Sequence, residues 1–170
     1  MRNGAIVLTA VVLLMSWIVM DCVFATGKSF KGRQAPEIAL SKAANCKEKP
    51  SLAKMKGKAV LVEFWATWCP PCRKSIPHLI DLHNKYKDKG LVVIGITQED
   101  ASKVTPFMKQ NGMIYIVGID EGGRTNQTYG IESIPMAYLI GPDGVVAWEG
   151  HPMSLKETDI EAVLDKVENK

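Results

Sequence analysis

Two cysteines, Cys69 and Cys72, are separated by a pair of prolines in the segment WATWCPPCR, residues 65–73. Thiols at this spacing can bind a metal ion, form a structural disulfide or act as a redox centre. If a helix begins at this motif, Cys69 lies where free backbone N–H groups favour a thiolate. The redox interpretation makes Cys69 the nucleophile, and Cys72, one turn inside the helix, resolves the mixed disulfide that Cys69 forms with a substrate.

The residues between the cysteines suit this chemistry. Pro70 and Pro71 fit the first turn of a helix, where no N–H donor is needed, and they stiffen the ring. No histidine or other cation lies between the cysteines to stabilise the thiolate further. The motif therefore predicts a moderate or reducing couple rather than an extreme oxidant.

A zinc site or a haem attachment site fits the motif less well. A structural zinc site needs four ligands, usually supplied as a second close pair. The other candidate ligands are scattered along the chain at Cys46, His78, His83 and His151. Arg73 stands where covalent haem attachment needs a histidine. We therefore expect no metal at this motif.

Two other functions remain open for the pair. A Cu(I)-binding chaperone could use Cys69, Cys72 and Met136 as soft sulfur ligands. Peroxide reduction by Cys69 is less favoured, because Cys72 lies so close and the rest of a peroxidatic site is not evident. The sequence contains no nicotinamide or flavin motif, so the redox interpretation expects no cofactor beyond a Cys69–Cys72 disulfide. An upstream membrane electron donor would then have to recycle the dithiol.

Glu63 lies six residues before Cys69 within the apolar segment AVLVEFW. An unpaired carboxylate inside a buried strand is costly, and burial would raise its pKa. Such a carboxyl group could accept the proton of Cys72 as that thiol attacks. Alternatively, Glu63 lies at a strand edge and points to water. Spacing alone does not decide between these two interpretations.

Strand and helix patterns alternate around the motif. Short β-branched and aromatic runs predict strands, the first of them directly before the cysteines, at residues 59–65, 91–97, 114–120, 136–140 and 145–149. Helical spacing is found from Pro70 to about Gly90, at residues 101–111 and at about 124–129. Ser154 and Glu157 predict a capping box that starts a terminal helix. A lead-in with two short strands precedes the first long strand, and the whole pattern predicts an α/β fold with a mixed sheet.

The N-terminus resembles an export signal. Residues 5–20 carry no charge and follow Arg2, as in the positive and apolar regions of a signal peptide. Val23 and Ala25 stand at the small-residue spacing of a cleavage site, so residues 1–25 are expected to be a signal peptide. An uncleaved membrane anchor is the main alternative, and lipidation at Cys22 is a minor one. Each of these options places the remaining domain, residues 26–170, outside the cytoplasm.

Composition limits the number of domains and the kinds of partner that the chain can have. The chain has 170 residues, of which 46% are hydrophobic, and this length suits one globular domain with a proper core. The net charge of +3 comes from scattered basic residues, so we expect no nucleic-acid partner. Cys46 is left without a visible partner and is predicted to be a buried free thiol, with intermolecular pairing or regulation as alternatives.

Three segments resemble the thioredoxin superfamily, and in particular its exported TlpA/ResA-type thiol-disulfide oxidoreductases. They are KGKAVLVEFWATWCPPCRKSIPHL at 56–79, GLVVIGIT at 90–97 and YGIESIPMAYLIGPDGVV at 129–146. The resemblance implies a thioredoxin-like (redoxin) fold, with a mixed central sheet and helices on both faces. It also implies disulfide-containing or dithiol protein substrates in the extracytoplasmic space.

The resemblance assigns roles to individual residues. Cys69 attacks and Cys72 resolves. Pro135 matches the cis-proline that lies against the disulfide in this superfamily, so the Ile134–Pro135 bond is expected to be cis and the Ile134 backbone to pair with the substrate. Glu63 matches the buried acid of thioredoxin. We also expect two residues at the motif, Trp68 and Pro70, to contribute to the substrate surface.

Two positions depart from the family pattern. ResA-like members carry an acidic residue three positions after the second cysteine, where this chain has Ser75, so the acid function is expected to fall to Glu63. Members devoted to cytochrome c maturation often have a glutamate directly after the cis-proline, where this chain has Met136. A role dedicated to cytochrome c maturation therefore does not follow from the resemblance.

Overall fold

The computed structural model describes residues 29–168, and within them a single six-stranded sheet forms the centre of the molecule. The strands are β1 (Lys42–Ala44), β2 (Ala59–Phe64), β3 (Leu91–Thr97), β4 (Ile116–Ile119), β5 (Met136–Ile140) and β6 (Val146–Gly150). Their order across the sheet is β1-β4-β3-β2-β5-β6. β2, β3 and β4 run parallel, whereas β1, β5 and β6 each pair antiparallel with a neighbour. The mixed sheet predicted from the alternating pattern is confirmed.

Four α-helices connect or follow these strands. They are α1 (Pro70–Tyr86), α2 (Ala101–Gln110), α3 (Arg124–Tyr129) and α4 (Glu157–Glu168). α1 begins with two prolines, which need no N–H partner there, and it continues through Pro77. Gly90 has a φ of 97°, a left-handed conformation that suits glycine, and it directs the chain into β3.

The sheet separates two apolar clusters. One face carries the inward side chains of α1, α2 and α4 and includes both cysteines of the motif. The other face is covered by the segment before β1, together with Tyr129 of α3. β2 is buried along its whole length, because its alternate residues enter the two clusters. The expected arrangement of helices on both faces is confirmed.

The last helix starts later than the sequence pattern predicted. Residues Pro152–Ser154 form a 3-10 turn, in which His151 accepts a hydrogen bond from the Met153 N–H. α4 begins at Glu157, and Asp159 accepts a hydrogen bond from the Lys156 N–H at 3.1 Å. The capping box assigned to Ser154 and Glu157 is therefore wrong. Asp159 occupies the third helical position, and its bond from the Lys156 N–H is one of the two hydrogen bonds that define a capping box.

Two other expectations differ in detail. The lead-in holds one named strand, β1, and its earlier part makes only single bridges from Lys31 and Gln34 to β6 and the residue before it. β4 is shorter than residues 114–120, because Tyr115 lies before its first paired residue. The predicted signal peptide or anchor lies outside the described residues. Between residues 29 and 168 no helix is long and apolar enough to cross a bilayer.

Candidate functional site

The disulfide lies at the carboxyl end of the central strand β2, where several other elements also end or begin. Cys69 follows the carboxyl end of β2 and is the N-cap of α1, and its sulfur is bonded to that of Cys72. Because β5 runs antiparallel to β2, the residues that precede β5 lie at the same edge. This edge of a parallel sheet is where α/β proteins commonly place their sites.

The helix start holds the sulfur of Cys69. The Cys72 N–H donates a hydrogen bond to Cys69 Sγ at 3.3 Å. Pro70 and Pro71 carry no N–H, so Cys72 supplies the first free backbone donor of the helix. In the open dithiol this donor and the positive end of the helix favour a thiolate at Cys69.

The two sulfurs differ in their surroundings. Cys72 is fully buried, whereas Cys69 retains 3% exposure. Cys69 also lies beside the loop before β5, where its Sγ is 3.8 Å from the Ile134 carbonyl oxygen. The Ile134–Pro135 bond is cis, which confirms the expectation from the family resemblance. The structure thus brings the predicted residues Cys69, Ile134 and Pro135 together.

An open groove of about 300 Å³ is lined by Trp68, which directly precedes Cys69, and by Ile134, whose carbonyl oxygen lies 3.8 Å from Cys69 Sγ. Trp68 lines it and is 69% exposed, which is unusual for so large an apolar side chain. The opposite wall comes from residues 131–134, the approach to the cis-proline. Pro70 is also exposed, next to Cys69. An exposed aromatic beside a groove is typical of a surface that another molecule covers.

Glu99 supports the loop that leads to Cys69. Its carboxylate accepts hydrogen bonds from the Thr67 N–H at 2.5 Å and from the Thr67 hydroxyl at 2.7 Å. Glu99 is not among the site residues predicted from the sequence. Its position just after β3, the parallel neighbour of β2, was the available signal, because carboxyl ends of adjacent parallel strands meet at one edge.

Glu63 is buried, with 1% exposure, so the water-facing interpretation is wrong. Its neighbours Leu61 and Trp65 belong to the cluster that holds the cysteines, and strand alternation places Glu63 on that same face. Burial raises the pKa of Glu63 to about 8, and a hydrogen bond from Ser75 opposes the rise in part. The Ser75 oxygen also lies 2.8 Å from the Cys72 carbonyl oxygen, so its single O–H is shared between that carbonyl and Glu63. This residue of α1 therefore links the acid to the redox helix.

Other candidates lie apart from the disulfide. Met136 pairs with Phe64 in the sheet and packs against the cluster on the opposite face from the cysteines. The structure therefore does not bring the third soft ligand of the copper hypothesis to the pair. Cys46 is a half-buried free thiol, and burial raises its pKa. Within residues 29–168 no group of three or more His, Cys, Asp or Glu side chains could hold a metal ion.

Comparison with known proteins identifies the family. The AhpC/TSA family profile matches residues 31–149, which is most of the chain. The chain belongs to the AhpC/TSA family. It is also 36% identical over 137 residues to the thiol-disulfide oxidoreductase ResA of Bacillus thuringiensis subsp. konkukian, covering 80% of this chain and 78% of the relative. The ResA of Bacillus subtilis is 29% identical over 147 residues, covering 85% and 80% of the two chains.

Solved structures agree with this assignment. A putative thiol:disulfide interchange protein DsbE from Chlorobium tepidum superposes with a TM-score of 0.71 and 30% identity, covering 79% of this chain and 97% of that structure. The fold is thioredoxin-like, as the sequence predicted. This AhpC/TSA member is a thiol-disulfide oxidoreductase.

Proposed function

We propose that the protein reduces or exchanges disulfides of other proteins outside the cytoplasm, with Cys69 as the nucleophile and Cys72 as the resolving thiol. The observation that carries this proposal is that the two sulfurs differ in burial and in the groups around them. Cys69 Sγ accepts the first free N–H of α1 and lies 3.8 Å from the carbonyl oxygen of Ile134, a residue that lines the groove, whereas Cys72 is fully buried. Only Cys69 is placed to meet a large substrate.

The first step is attack by the Cys69 thiolate on a substrate disulfide. A bond forms between Cys69 Sγ and one substrate sulfur, while the substrate S–S bond breaks. The second substrate sulfur leaves as a thiolate and takes a proton from solvent. The Cys72 N–H and the start of α1 lower the free energy of the attacking thiolate.

The second step returns the enzyme to the disulfide form. Glu63, in its ionised form, accepts the proton of the Cys72 thiol, and the resulting thiolate attacks Cys69 Sγ. The mixed disulfide breaks, the Cys69–Cys72 bond forms, and the remaining substrate sulfur leaves as a thiolate. Two electrons have then passed from the dithiol to the substrate. With a pKa of about 8, the Glu63 carboxyl can hold and release a proton near neutral pH.

The substrate chain lies across the groove beside Cys69. Trp68 and Pro70 offer an exposed apolar surface on one side of the nucleophile. On the other side, the backbone of Ile134, next to Pro135, supplies polar groups for an extended segment. Because backbone pairing does not depend on sequence, this surface suits many protein disulfides.

The sequence of residues 1–25 supports the extracytoplasmic location that we propose. The uncharged run at residues 5–20 after Arg2 supports export and fits either a cleaved signal or an anchor. Since the chain carries no nicotinamide or flavin motif, a membrane electron donor recycles the disulfide to the dithiol.

Labelling of living cells tests direction and location together. Intact cells of the source organism are treated with a membrane-impermeant maleimide, and labelled Cys69 is quantified by mass spectrometry. We expect labelling without prior reduction, because the dithiol is kept reduced outside the cytoplasm. Labelling only after lysis would contradict the location. Labelling only after added reductant would contradict a reducing role.

A further inference from the structure

Three buried polar atoms on the side of the sheet that holds the disulfide have no hydrogen-bond partner among residues 29–168. They are Glu63 Oε1, Trp65 Nε1 and the Tyr115 hydroxyl. The three side chains are at most 3% exposed. A buried polar group left unpaired costs about 1 to 3 kcal/mol, so three such groups in one region require an explanation.

The three side chains meet beside one glycine, Gly95. Glu63 is the cross-strand partner of Gly95 in β3. A Cβ on Gly95 would lie 2.9 Å from Trp65 Nε1 and 3.3 Å from a ring carbon of Tyr115. The absent side chain at Gly95 therefore lets the indole and the phenol approach the strand beside the carboxyl group.

The charge of Glu63 acts on the phenol group of Tyr115. The negative charge of Glu63 adds to the effect of burial in raising the pKa of Tyr115. From α1, the only other polar side chain facing Glu63 is Ser75. β5 presents Ala137 at the register position of Glu63. No lysine, arginine or histidine is buried among residues 29–168, so no buried cation compensates the carboxylate.

We propose that Tyr115 is a positioning residue of the redox reaction. Its hydroxyl and the Trp65 indole N–H donate hydrogen bonds to one enclosed water, and that water donates to the Glu63 carboxylate. A water there would find three polar partners, which is the number typical of a buried water. The three atoms do not bond to one another directly, since none of them has a partner within hydrogen-bonding distance in the described part of the chain.

This arrangement stabilises the charged form of Glu63. The carboxylate must exist before it can accept the proton of Cys72, and hydrogen bonds to a charged group favour that form. No electron passes through Tyr115, and its own proton stays on the phenol. The inference rests on the proposed role of Glu63 as proton acceptor and adds the groups that make it effective.

Tyr115→Phe tests the proposal, because it removes only the hydroxyl. A reduced enzyme reacts with an aromatic disulfide in two phases. The first releases one coloured thiolate as Cys69 attacks, and the second releases another as Cys72 resolves the mixed disulfide. We expect the second phase to slow about tenfold at pH 7 and its pH midpoint to rise by about one unit. The first phase should be unchanged.

An infrared titration supplies a readout that does not depend on activity. The carboxyl band of protonated Glu63, assigned by its loss in Glu63→Gln, should persist to higher pH in Tyr115→Phe. Tyr86→Phe is the matched control, because its buried ring lies on the same side of the sheet while its hydroxyl donates to Glu161 at 3.0 Å. The control should leave unchanged the pH midpoint of the second kinetic phase and the pH midpoint of the carboxyl band.

The outcomes separate the two proposals. If Glu63→Gln slows the second phase but Tyr115→Phe shifts neither midpoint, the role of Tyr115 is overturned and that of Glu63 stands. A merely structural Tyr115 would also give a more stable Phe variant, because an unpaired buried hydroxyl is lost. If Glu63→Gln leaves the second phase unchanged, Glu63 is not the proton acceptor and both proposals fail.

Discussion

Glu63 holds a carboxyl group in a strand whose six residues are all buried. Burial disfavours its charged form, and the Ser75 hydroxyl only partly opposes this effect. In the unfolded chain the same group is solvated and has its ordinary pKa of 4.5. The folded protein therefore keeps a proton that the unfolded chain releases above that pH.

This difference predicts a pH-dependent stability. Because the folded pKa is raised to about 8, the contribution of Glu63 to the free energy of unfolding should be fully present below pH 4.5 and fall as the pH rises towards 8, by roughly 5 kcal/mol in total. Glu63→Gln should remove this decline. Urea unfolding of both proteins from pH 4 to 9 measures the difference between their slopes.

The control for this series is Glu132→Gln, which neutralises an exposed glutamate. Its stability should follow that of the unaltered protein at every pH. A decline that persists unchanged in Glu63→Gln would show that another group causes it.

At the scale of elements, α3 is a short helix that depends on one buried carboxylate. Asp120 follows β4 and accepts hydrogen bonds from the Thr125 N–H at 3.1 Å, the Asn126 N–H at 2.9 Å and the Asn126 side-chain amide at 2.9 Å. The six-residue helix then leads through Gly130 to the groove wall at residues 131–134. The aspartate thus anchors one side of the site.

Asp120→Ala should destabilise the protein by about 3 kcal/mol, because it leaves three buried donors unpaired. We also expect slower attack of Cys69 on a protein disulfide, since the groove wall loses its anchor. Chemical denaturation and single-turnover kinetics measure the two effects. Glu121→Ala changes the next, exposed residue and should alter neither by more than about 0.5 kcal/mol. Equal effects of the two substitutions would refute the anchoring role.

The elements also show what the sequence could predict. Cys69, Cys72 and the strand and helix around them follow from local patterns, and Pro135 from a segment that resembles a known family. The contacts of Glu99 with Thr67 and the meeting of Tyr115 with Glu63 depend on the register between strands distant in sequence. No local spacing encodes that register.

The prediction for the start of α4 was wrong for a related reason. Ser154 has the right residue type for an N-cap, and Glu157 the right spacing. Tertiary packing instead places Pro152–Ser154 in a 3-10 turn with Pro152 buried, so the helix begins after Leu155 enters the core. Local capping preference is weaker than the burial of these apolar side chains.

Across the whole molecule, the two faces of the sheet are specialised. The face with α1, α2 and α4 holds the disulfide, Glu63 and Tyr115, whereas the other face holds an aromatic group of Phe30, Phe64, Tyr129 and Tyr138. Tyr129 donates to the Pro36 carbonyl oxygen at 2.7 Å and so fastens the segment before β1 to the sheet. The chemistry thus occupies one face, and the second face fixes the scaffold.

The central claim is that Cys69 attacks the substrate and Cys72 resolves the product. Cys72→Ser, in a Cys46→Ser background, is reduced and incubated with a disulfide-bonded test protein, and stable complexes are mapped by mass spectrometry. We predict a long-lived mixed disulfide at Cys69 in this variant and none at Cys72 in the matched Cys69→Ser variant. Equal trapping by both variants, or no complex with either, would contradict the account.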